Sequence, residues 1–237
     1  MTTEVKIHEA QMAILRELLF KPNARFNELL KLTDLSSDHF NFHIAKLIEL
    51  GYVEKVEKGV YRLTLVGKEY ANKLDTDTST IERQPKVAVV LAIERQHDGV
   101  TEYVFQQRRK NPYYGFWGLP TGKVRWGEQI TETAVRECME ETGLTADFTV
   151  VGVYHELVRV AGKGDCSEDK VFFVCRSNNA SGDLVADFEG GHNEWATYDD
   201  VLKNRKTYAN DETVYKMLEG SNNWFKEDRI KVDEADF

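Results

Sequence analysis

The chain contains few cysteines, and their arrangement argues against two classes of protein. Three are present in 237 residues: Cys138, Cys166 and Cys175. They are odd in number and include no Cys-x-x-Cys pair, which argues against a disulfide-stapled secreted domain and against a zinc site built from thiolates. We therefore expect a protein of a reducing compartment, the cytoplasm.

Long hydrophobic runs are also missing. The longest apolar run, Val87–Ile93, is far shorter than the roughly 20 residues that a helix needs to cross a bilayer. Residues Met1–Met12 alternate charged and apolar side chains, without the apolar core of a signal peptide. The sequence thus predicts a soluble protein with no membrane contact, and a buried strand at Val87–Ile93.

An excess of positive charge is absent as well, because 31 Lys and Arg residues stand against 40 Asp and Glu residues. Residues 1–75 contain 11 basic and 11 acidic residues, which leaves 20 basic and 29 acidic residues in the remainder. Because of this excess of acidic residues, the segment after residue 75 is expected to bind nucleic acid poorly in a non-specific manner. It can still bind polyphosphates if divalent cations lie between the charges.

The first 75 residues show apolar positions at helical spacing, interrupted by turn residues. A serine suited to a helix N-cap and a glycine suited to a helix end delimit one of the helices. The predicted elements are helices over His8–Phe20 and Phe26–Leu32, a third helix between Ser36 and Gly51, a hairpin of Tyr52–Val56 and Val60–Leu65, and a helix over Val66–Leu74.

This order of elements resembles a winged helix-turn-helix domain of bacterial and archaeal regulators. We assign it to residues 1–75. The stretch Asp75–Thr80 is polar and lacks apolar anchors, so residues 76–84 are predicted to be a linker. The second domain is then residues 85–237.

In winged-helix domains the third helix usually reads DNA. That helix is polar but hardly basic, and low positive charge weakens the phosphate contacts that dominate DNA affinity. The alternative role of this domain is dimerisation, which would make the protein a homodimer, or contact with another protein. The candidate DNA contacts are Ser37, His39, Asn41, His43 and Lys46.

The remainder of the chain predicts strands with few helices, which is typical of an α+β or α/β sandwich. The tail from Asp228 onward is acidic and predicted to be a solvated end. The predicted elements are strands over Lys86–Glu94 and Thr101–Arg108, a helix over Glu128–Thr142 that stops at Gly143, strands over Phe148–His155 and Val171–Arg176, and helices over Asp199–Asn204 and Asp211–Leu218.

One motif carries the chemistry. Gly122 is followed after five residues by Glu128, and after seven more by the run Arg136 to Leu144, which contains Arg-Glu and then Glu-Glu-x-Gly. This pattern resembles the complete Nudix box. Its seven fixed identities would coincide by chance on the order of once in ten million starts. The resemblance implies an α/β/α sandwich with a mixed sheet and a hydrolase acting on phosphoanhydrides.

Helix geometry supports a metal site at the same residues. Glu137 lies three residues before Glu140 and four before Glu141, so the three carboxylates project from one face. Like charges at such density are unfavourable unless a cation binds, and oxygen ligands favour Mg²⁺, with Mn²⁺ as the alternative. The preceding loop, Thr121 and Gly122 among it, offers backbone groups to metal or phosphate.

The Nudix resemblance implies roles for individual side chains. Glu140 and Glu141 would ligate the metal, Arg136 would orient Glu137, and Glu137 would ligate metal or deprotonate the attacking water. Glu128 either braces the loop and helix or complements the helix dipole. A further catalytic carboxylate often precedes a Trp-containing strand. Glu189, counted back from Trp195, is our candidate, with Glu194 as second choice.

The substrate class implied is a nucleoside diphosphate linked to another moiety: a nucleoside triphosphate, a nucleotide-sugar or a dinucleotide. No proline follows Pro120, so the downstream proline of many ADP-ribose pyrophosphatases is missing. Most aromatic residues near the box are expected to pack in the core, although some could stack on a base. The candidate substrate contacts are Arg108, Phe116, Trp117 and Lys123.

A different class of function stays open beside the hydrolase. The chain would then be a transcriptional regulator whose winged helix binds DNA and whose Nudix domain senses a nucleotide. An intact glutamate cluster favours catalysis, because a pure sensor has no need of a full metal site.

Overall fold

The structure of the protein is a computed structural model, which describes residues 7–73, 84–220 and 224–237. The chain divides into two compact units, Met1–Arg83 and Gln84–Phe237, called unit 1 and unit 2 below. Apart from Gln84, the predicted linker lies outside the described residues. The first six residues and Leu74, the predicted end of the last helix of unit 1, also lie outside them.

Unit 1 contains helices and a small antiparallel sheet whose strand order is β1-β3-β2. Each predicted helix is present with its ends shifted by no more than three residues, and the hairpin is present as well. Strand β1 was not predicted because it is only two residues long. The elements are α1 (Glu9–Phe20), β1 (Ala24–Arg25), α2 (Phe26–Lys31), α3 (Ser37–Glu49), β2 (Val53–Glu57), β3 (Val60–Leu63) and α4 (Leu65–Ala71).

Local capping and close packing explain these elements. The Ser36 hydroxyl accepts a hydrogen bond from the His39 backbone N–H and begins α3. Helix α4 lies against the hairpin at Gly67, where an added Cβ would come within 1.8 Å of the Tyr52 carbonyl oxygen. The buried core of unit 1 includes Ile14, Leu15, Leu29, Phe40, Leu47 and Leu63.

Unit 2 is built on a nine-stranded mixed sheet with the path β10-β11-β5-β4-β9-β8-β12. Strand β4 pairs in parallel with β9, and β8 in parallel with β12, while the other pairs are antiparallel. The strands are β4 (Lys86–His97), β5 (Val100–Arg108), β6 (Trp117–Gly118), β7 (Thr121–Lys123), β8 (Thr149–Val160), β9 (Glu168–Ser177), β10 (Asp187–Phe188), β11 (Gly191–Ala196) and β12 (Phe225–Val232).

In residues 84–220 and 224–237, three helices cover this sheet: α5 (Ile130–Thr142), α6 (Tyr198–Asn204) and α7 (Asp211–Leu218). Alternation along β4 separates two hydrophobic cores, because successive side chains point to opposite faces. Val89, Leu91 and Ile93 pack with residues of α5. Ala88, Val90 and Ala92 pack with residues of α6 and α7. The order of layers is therefore helix, sheet, helix.

The prediction of a solvated tail from Asp228 is wrong. Strand β12 pairs with β8 in parallel along its whole length, from Phe225 opposite Val153 to Val232 opposite Val160. Four consecutive residues of β12, Lys226–Arg229, are charged, so the segment lacks an apolar face from which burial could be predicted. Its position is set by backbone pairing and by side-chain contacts to β8.

The connection between β8 and β9 is shorter than predicted. Both strands extend beyond the predicted ends, so the loop rich in Gly, Asp and Ser shrinks to residues 161–167. Helix α5 begins at Ile130 rather than Glu128. None of the helices in the described parts of the chain is long and apolar enough to cross a membrane.

An ion-pair bridge joins the last strand to the sheet. His155 on β8 contacts Glu227 on β12 through Nδ1 and Asp169 on β9 through Nε2, both at 2.9 Å. The hydrogen bonds to Glu227 and Asp169 raise the pKa of His155 above its usual value. The bridge therefore stabilises the fold at acidic pH, and this contribution is lost as pH rises through the raised pKa.

A His155→Gln substitution should remove this pH dependence. Between pH 6 and pH 8.5 we expect the wild-type melting temperature to fall by about 1–3 °C more than that of the variant, the size typical of partly exposed pairs. Thermal unfolding followed by circular dichroism at both pH values measures the difference. His97→Gln changes a half-exposed histidine and is the control. Equal pH dependence in the wild type and His155→Gln would contradict the assignment.

Candidate active site

A glycine in β7 brings the loop before α5 against the helix. Gly122 pairs with Val89 of β4, which fixes the loop to the sheet. An added Cβ at Gly122 would come within 2.0 Å of the Glu137 Cγ atom and 2.1 Å of its Cδ atom. Only a residue without a side chain permits this approach, so Gly122 sets the position of the Glu137 carboxylate.

Helix α5 has one buried side and one charged side. Ala134 and Cys138 are fully buried in the core beneath the sheet, as the four-residue spacing predicts. The helix ends at Gly143, whose φ of +73° is left-handed and suits glycine. With the apolar side fixed on the sheet, Glu137, Glu140 and Glu141 lie along one flank of the helix, where Glu137 faces Gly122 and Glu141 reaches Gln106 of β5.

Arg136 connects the carboxylates of the motif. Its Nε and Nη2 atoms donate to the two oxygens of Glu128 at 2.6 and 2.8 Å. Its Nη1 atom donates to Glu137 at 2.7 Å and to Glu140 at 3.0 Å. The bond from Arg136 lowers the pKa of Glu128 to about 2, and the bond to Glu128 raises the pKa of Arg136.

Glu128 braces the loop to the helix. In addition to the two bonds from Arg136, it accepts hydrogen bonds from the Thr133 hydroxyl at 2.8 Å and from the Arg125 backbone N–H at 3.1 Å. The sequence left two roles open for Glu128, bracing the loop and helix or complementing the helix dipole. These contacts are those of a brace. The helix N-terminus is capped separately, since Gln129 donates its backbone N–H to Glu132.

The third box carboxylate is held by neutral groups. Gln106 of β5 donates to the Glu141 side chain at 3.1 Å, and Asn193 of β11 donates to the Glu141 backbone carbonyl at 2.7 Å. Burial raises the pKa of Glu141. Strands β5 and β11 therefore fix the C-terminal half of the helix. The sequence did not predict the roles of Gln106 and Asn193, because both residues come from strands distant in sequence from the motif.

The donor set suits a hard divalent cation, although it is not gathered around one point. In the described residues no three His, Cys, Asp or Glu side chains form a group arranged to hold a metal ion. Glu137 and Glu140 are instead engaged by Arg136, and Glu140 also by Arg125 at 3.1 Å. Their carboxylate oxygens, lying within one turn of helix beside a glycine-lined loop, are the ligand type that such cations prefer.

A cavity of about 1050 Å³ in unit 2 opens beside these carboxylates. Four cationic side chains line it near the box: Arg108, Lys110, Lys123 and Arg125. Arg108 is itself anchored, since its Nε atom donates to the Pro112 carbonyl oxygen at 2.6 Å. The predicted site residues that line the cavity are Arg108, Phe116, Thr121, Gly122, Lys123, Glu137, Glu140 and Glu141.

Three predicted residues lie away from this cavity. Trp117 is buried beneath the Arg205 guanidinium, 4.6 Å from its ring centre, and Glu194 pairs with the same Arg205 at 2.8 Å. Glu189 is exposed in the turn between β10 and β11. None of the three is among the residues that line the cavity in the described parts of the chain.

Acidic residues from later in the chain line the cavity in their place. Glu156 on β8, Glu168 on β9 and Asp211 on α7 are all more than nine-tenths buried. They are separated by up to 55 residues in sequence, and no local motif joins them. A sign in the sequence was available only for Asp211, which stands at the start of a predicted helix.

The predicted DNA contacts lie on α3 of unit 1 with different exposure. Ser37, His39 and Asn41 are exposed, whereas His43 is half-buried with its ring centre 4.4 Å from that of His8. Lys46 bonds to Glu49 at 3.0 Å. The exposed part of the helix therefore combines these polar side chains with the apolar Phe42 and Ile48. Its lysine is already paired with an acid.

Comparison with known proteins identifies the family. The family described as "NUDIX domain" matches residues 82–218, which is more than half of the chain and includes the whole motif from Gly122 to Leu144. The chain therefore belongs to the Nudix family.

Relatives and solved structures agree with this assignment. The chain is 35% identical over 100 residues to an ADP-ribose pyrophosphatase of Methanocaldococcus jannaschii. This match covers 40% of this chain and 57% of that relative. The match thus spans little more than half the length of that relative.

Two solved structures share the fold. A mutator MutT protein from Bacillus halodurans has a TM-score of 0.52 and 24% identity, covering 62% of this chain and 90% of that chain. The NUDIX domain of NrtR from Shewanella oneidensis was solved in complex with ADP ribose. It has a TM-score of 0.52 and 17% identity, and the match covers 66% of this chain and 97% of that domain. The helix, mixed sheet and helix layers of unit 2 are the Nudix fold.

A Gly122→Ala substitution should lower stability through its contact with Glu137. The added methyl group overpacks the site, and we expect the free energy of unfolding to fall by about 1–3 kcal/mol. Gly164→Ala is the matched control, because a Cβ there meets no atom within 4 Å. Urea denaturation measures both changes.

The same contact can be tested by removing the other partner. In the double variant with Glu137→Ala, most of the loss at Gly122 should disappear, because the crowded side chain is gone. Additive losses in the two single variants and the double variant would show that Gly122 does not position Glu137.

Proposed function

We propose that this chain hydrolyses a phosphoanhydride bond in a nucleoside diphosphate linked to another moiety, with the help of a divalent cation. The observation that carries the proposal is that Glu137, Glu140 and Glu141 line a cavity in which Arg108, Lys110, Lys123 and Arg125 lie near the box. A site with carboxylates for a metal and cations for phosphates suits a diphosphate ligand.

The reaction is a substitution at phosphorus. The oxygen of a water molecule bonds to one phosphorus atom, and the bond from that phosphorus to the bridging oxygen breaks. The products are a nucleoside monophosphate and the other phosphorylated half, or a monophosphate and pyrophosphate. When bound to the box carboxylates, Mg²⁺ or Mn²⁺ supplies positive charge against the diphosphate and makes water more acidic.

The side chains of the protein divide the remaining work. Glu137 takes the proton of the attacking water, and Arg136 keeps its carboxylate in place through the 2.7 Å bond. Lys110 and Lys123, which line the cavity, contact phosphate oxygens, and Phe116 contacts the rest of the substrate. Glu189 as a further catalytic carboxylate and Trp117 as a substrate contact stay predictions that the observed positions do not support.

The relatives suggest one candidate substrate to test first. One relative is an ADP-ribose pyrophosphatase, and one structural neighbour holds ADP ribose, which supports ADP-ribose as one substrate to test. The lack of proline after Pro120 argues in the other direction. Nucleoside triphosphates, nucleotide-sugars and dinucleotides belong to the same test. The cytoplasmic location and the homodimer predicted from the sequence stay proposals.

A panel assay with a matched pair of variants tests the hydrolase. We expect Mg²⁺ to support turnover of one substrate class, EDTA to abolish it, and Glu141→Gln to lower kcat by about 10²–10⁴-fold, the range of a lost catalytic group. Glu132→Gln makes the same change on the same helix, outside the cavity, and should keep the wild-type rate. Phosphate release and product chromatography give both rates. No turnover on any substrate, or equal rates for the two variants, would overturn the proposal.

A second candidate function rests on unit 1. We infer that its element order, with α3 before the β2–β3 hairpin, makes it a winged helix, the fold in which that helix enters the major groove. Ser37, His39 and Asn41 would then face the bases. The charge pattern opposes strong DNA binding, because Lys46 and Arg62 each pair with an acidic neighbour.

Fluorescence anisotropy with labelled duplex DNA measures whether the chain binds DNA tightly enough to act as a regulator. We expect weak binding that does not reach saturation at micromolar protein, because paired lysine and arginine side chains release few counterions from DNA. Asn41→Ala should have no effect on such binding. Tight binding that weakens steeply with salt and is lost in Asn41→Ala would place regulation ahead of hydrolysis.

A further inference from the structure

The two arginines at the box are held very differently. Arg136 has 16% of its side chain exposed and bonds to three carboxylates. Arg125, in the loop between β7 and α5, lines the cavity and has 59% of its side chain exposed. In the described parts of the chain its guanidinium bonds to one carboxylate, that of Glu140. Arg125 can therefore leave its partner far more easily than Arg136 can.

The contacts to Glu140 show which oxygen Arg125 covers. Arg136 donates from Nη1 to Oε2 of Glu140 at 3.0 Å. Arg125 donates from Nη2 to the same oxygen at 3.1 Å and to Oε1 at 3.2 Å. Oε1 is thus the oxygen that Arg136 does not hold, and a cation that binds Glu140 through Oε1 meets the guanidinium of Arg125 there.

A divalent cation and Arg125 are competitors for this carboxylate. Carboxylate oxygens are the ligands that Mg²⁺ and Mn²⁺ prefer, so Glu140 suits both kinds of partner. A single and a double positive charge on the same carboxylate repel each other even in water, and salt screens the repulsion only in part over so short a distance. Binding of one at Glu140 therefore weakens binding of the other.

The ion pair between Arg125 and Glu140 is of a kind that is readily replaced. The Glu140 side chain is itself 46% exposed. Pairs between exposed side chains contribute little to stability, because water screens their charges and ordering two long side chains costs entropy. Little free energy is therefore lost when the guanidinium of Arg125 leaves this carboxylate.

Only the side chain of Arg125 has to move. Its backbone N–H donates to Oε2 of Glu128 at 3.1 Å, and its backbone carbonyl oxygen accepts a hydrogen bond from the Glu128 N–H at 3.1 Å. Glu128 is in turn fixed by Arg136. A change of side-chain rotamer therefore suffices, and the loop of the box keeps its position.

The cavity offers the guanidinium a second type of partner. Arg125 lines it together with Lys110 and Lys123, the two lysines that we assign to phosphate oxygens. A guanidinium binds phosphate through two parallel N–H bonds, which the ammonium group of lysine cannot form. Arg108 is less free to do so, because its Nε atom donates to backbone carbonyl oxygens.

We propose that Arg125 exchanges between Glu140 and the phosphate groups of the ligand, leaving Glu140 to a divalent cation. The inference rests on the proposed function, since it takes Glu140 as a cation ligand and the cavity as the diphosphate site. Arg125 thereby couples the two ligands, because a phosphate group that binds its guanidinium also frees the carboxylate. Such coupling is reciprocal, so each ligand tightens the binding of the other.

Removal of the charge at residue 125 should shift the two affinities in opposite directions. Without nucleotide, Arg125→Gln should bind Mn²⁺ about 3–10-fold more tightly than the wild type, because a competing positive charge is gone. With saturating Mn²⁺, the same variant should bind α,β-methylene-ADP about 10-fold more weakly, the low end for a lost hydrogen bond to a charged group. A role in stability alone would not produce opposite shifts.

Electron paramagnetic resonance of free Mn²⁺ and isothermal titration of the analogue measure these affinities in the full chain. The methylene bridge prevents hydrolysis, so neither measurement needs turnover. Arg125→Lys keeps the charge and should keep Mn²⁺ affinity within about 3-fold of the wild type, with analogue affinity between those of the wild type and Arg125→Gln. Thermal unfolding shows that each variant is folded, as expected after a change at an exposed side chain.

Arg95→Gln is the matched control. It removes the same charge from an arginine of the same unit, which pairs with Glu102 outside the cavity lining. Both of its affinities should stay at the wild-type values. Equal shifts in Arg95→Gln and Arg125→Gln would reflect net charge alone and would overturn the inference.

Unchanged or weaker Mn²⁺ binding in Arg125→Gln would also overturn it, as would the absence of any loss of analogue affinity in that variant. The proposed hydrolase is judged separately by the substrate panel. Opposite shifts without turnover would retain this inference and reject the hydrolase, and turnover with unchanged affinities would do the reverse.

Discussion

Arg136 holds together side chains that would otherwise repel or move freely. Its planar guanidinium binds Glu128 from the loop and Glu137 and Glu140 from the helix, a use of several donors for which lysine has no equivalent. Because Glu128 also holds the Arg125 backbone, this one cation fixes the loop, the first turns of α5 and the spacing of the carboxylates. The contact of Gly122 with Glu137 depends on the same arrangement.

Much of the fold could be predicted because its elements carry periodic apolar patterns. Helix α5 has buried residues every four positions, and β4 is an apolar run with both faces covered, so both were predicted nearly in full. Strand β12 was missed because four consecutive charged residues occupy its middle and because its partner β8 lies some 70 residues earlier. Its pairing depends on backbone hydrogen bonds, which leave little trace in a pattern of apolar residues.

The candidate site divides in the same way. The box residues lie within 23 positions, so helix geometry alone predicts that Glu137, Glu140 and Glu141 share a face. Gln106, Glu156 and Asp211 join the cavity only through strand order and helix packing, which a single sequence does not reveal. Counting back from Trp195 gave Glu189, but the β10–β11 turn leaves that side chain in solvent, away from the cavity.

Strand β12 has a consequence for how such a site can change. Ile230, Val232 and Asp233 line the cavity opposite the box, although they come from the end of the chain and take no part in holding the glutamates. The chemistry and the shape of the ligand pocket are thus encoded in segments about 90 residues apart. Insertions or substitutions near residue 230 can reshape the pocket while every catalytic group keeps its place, so two chains with the same box need not share a substrate.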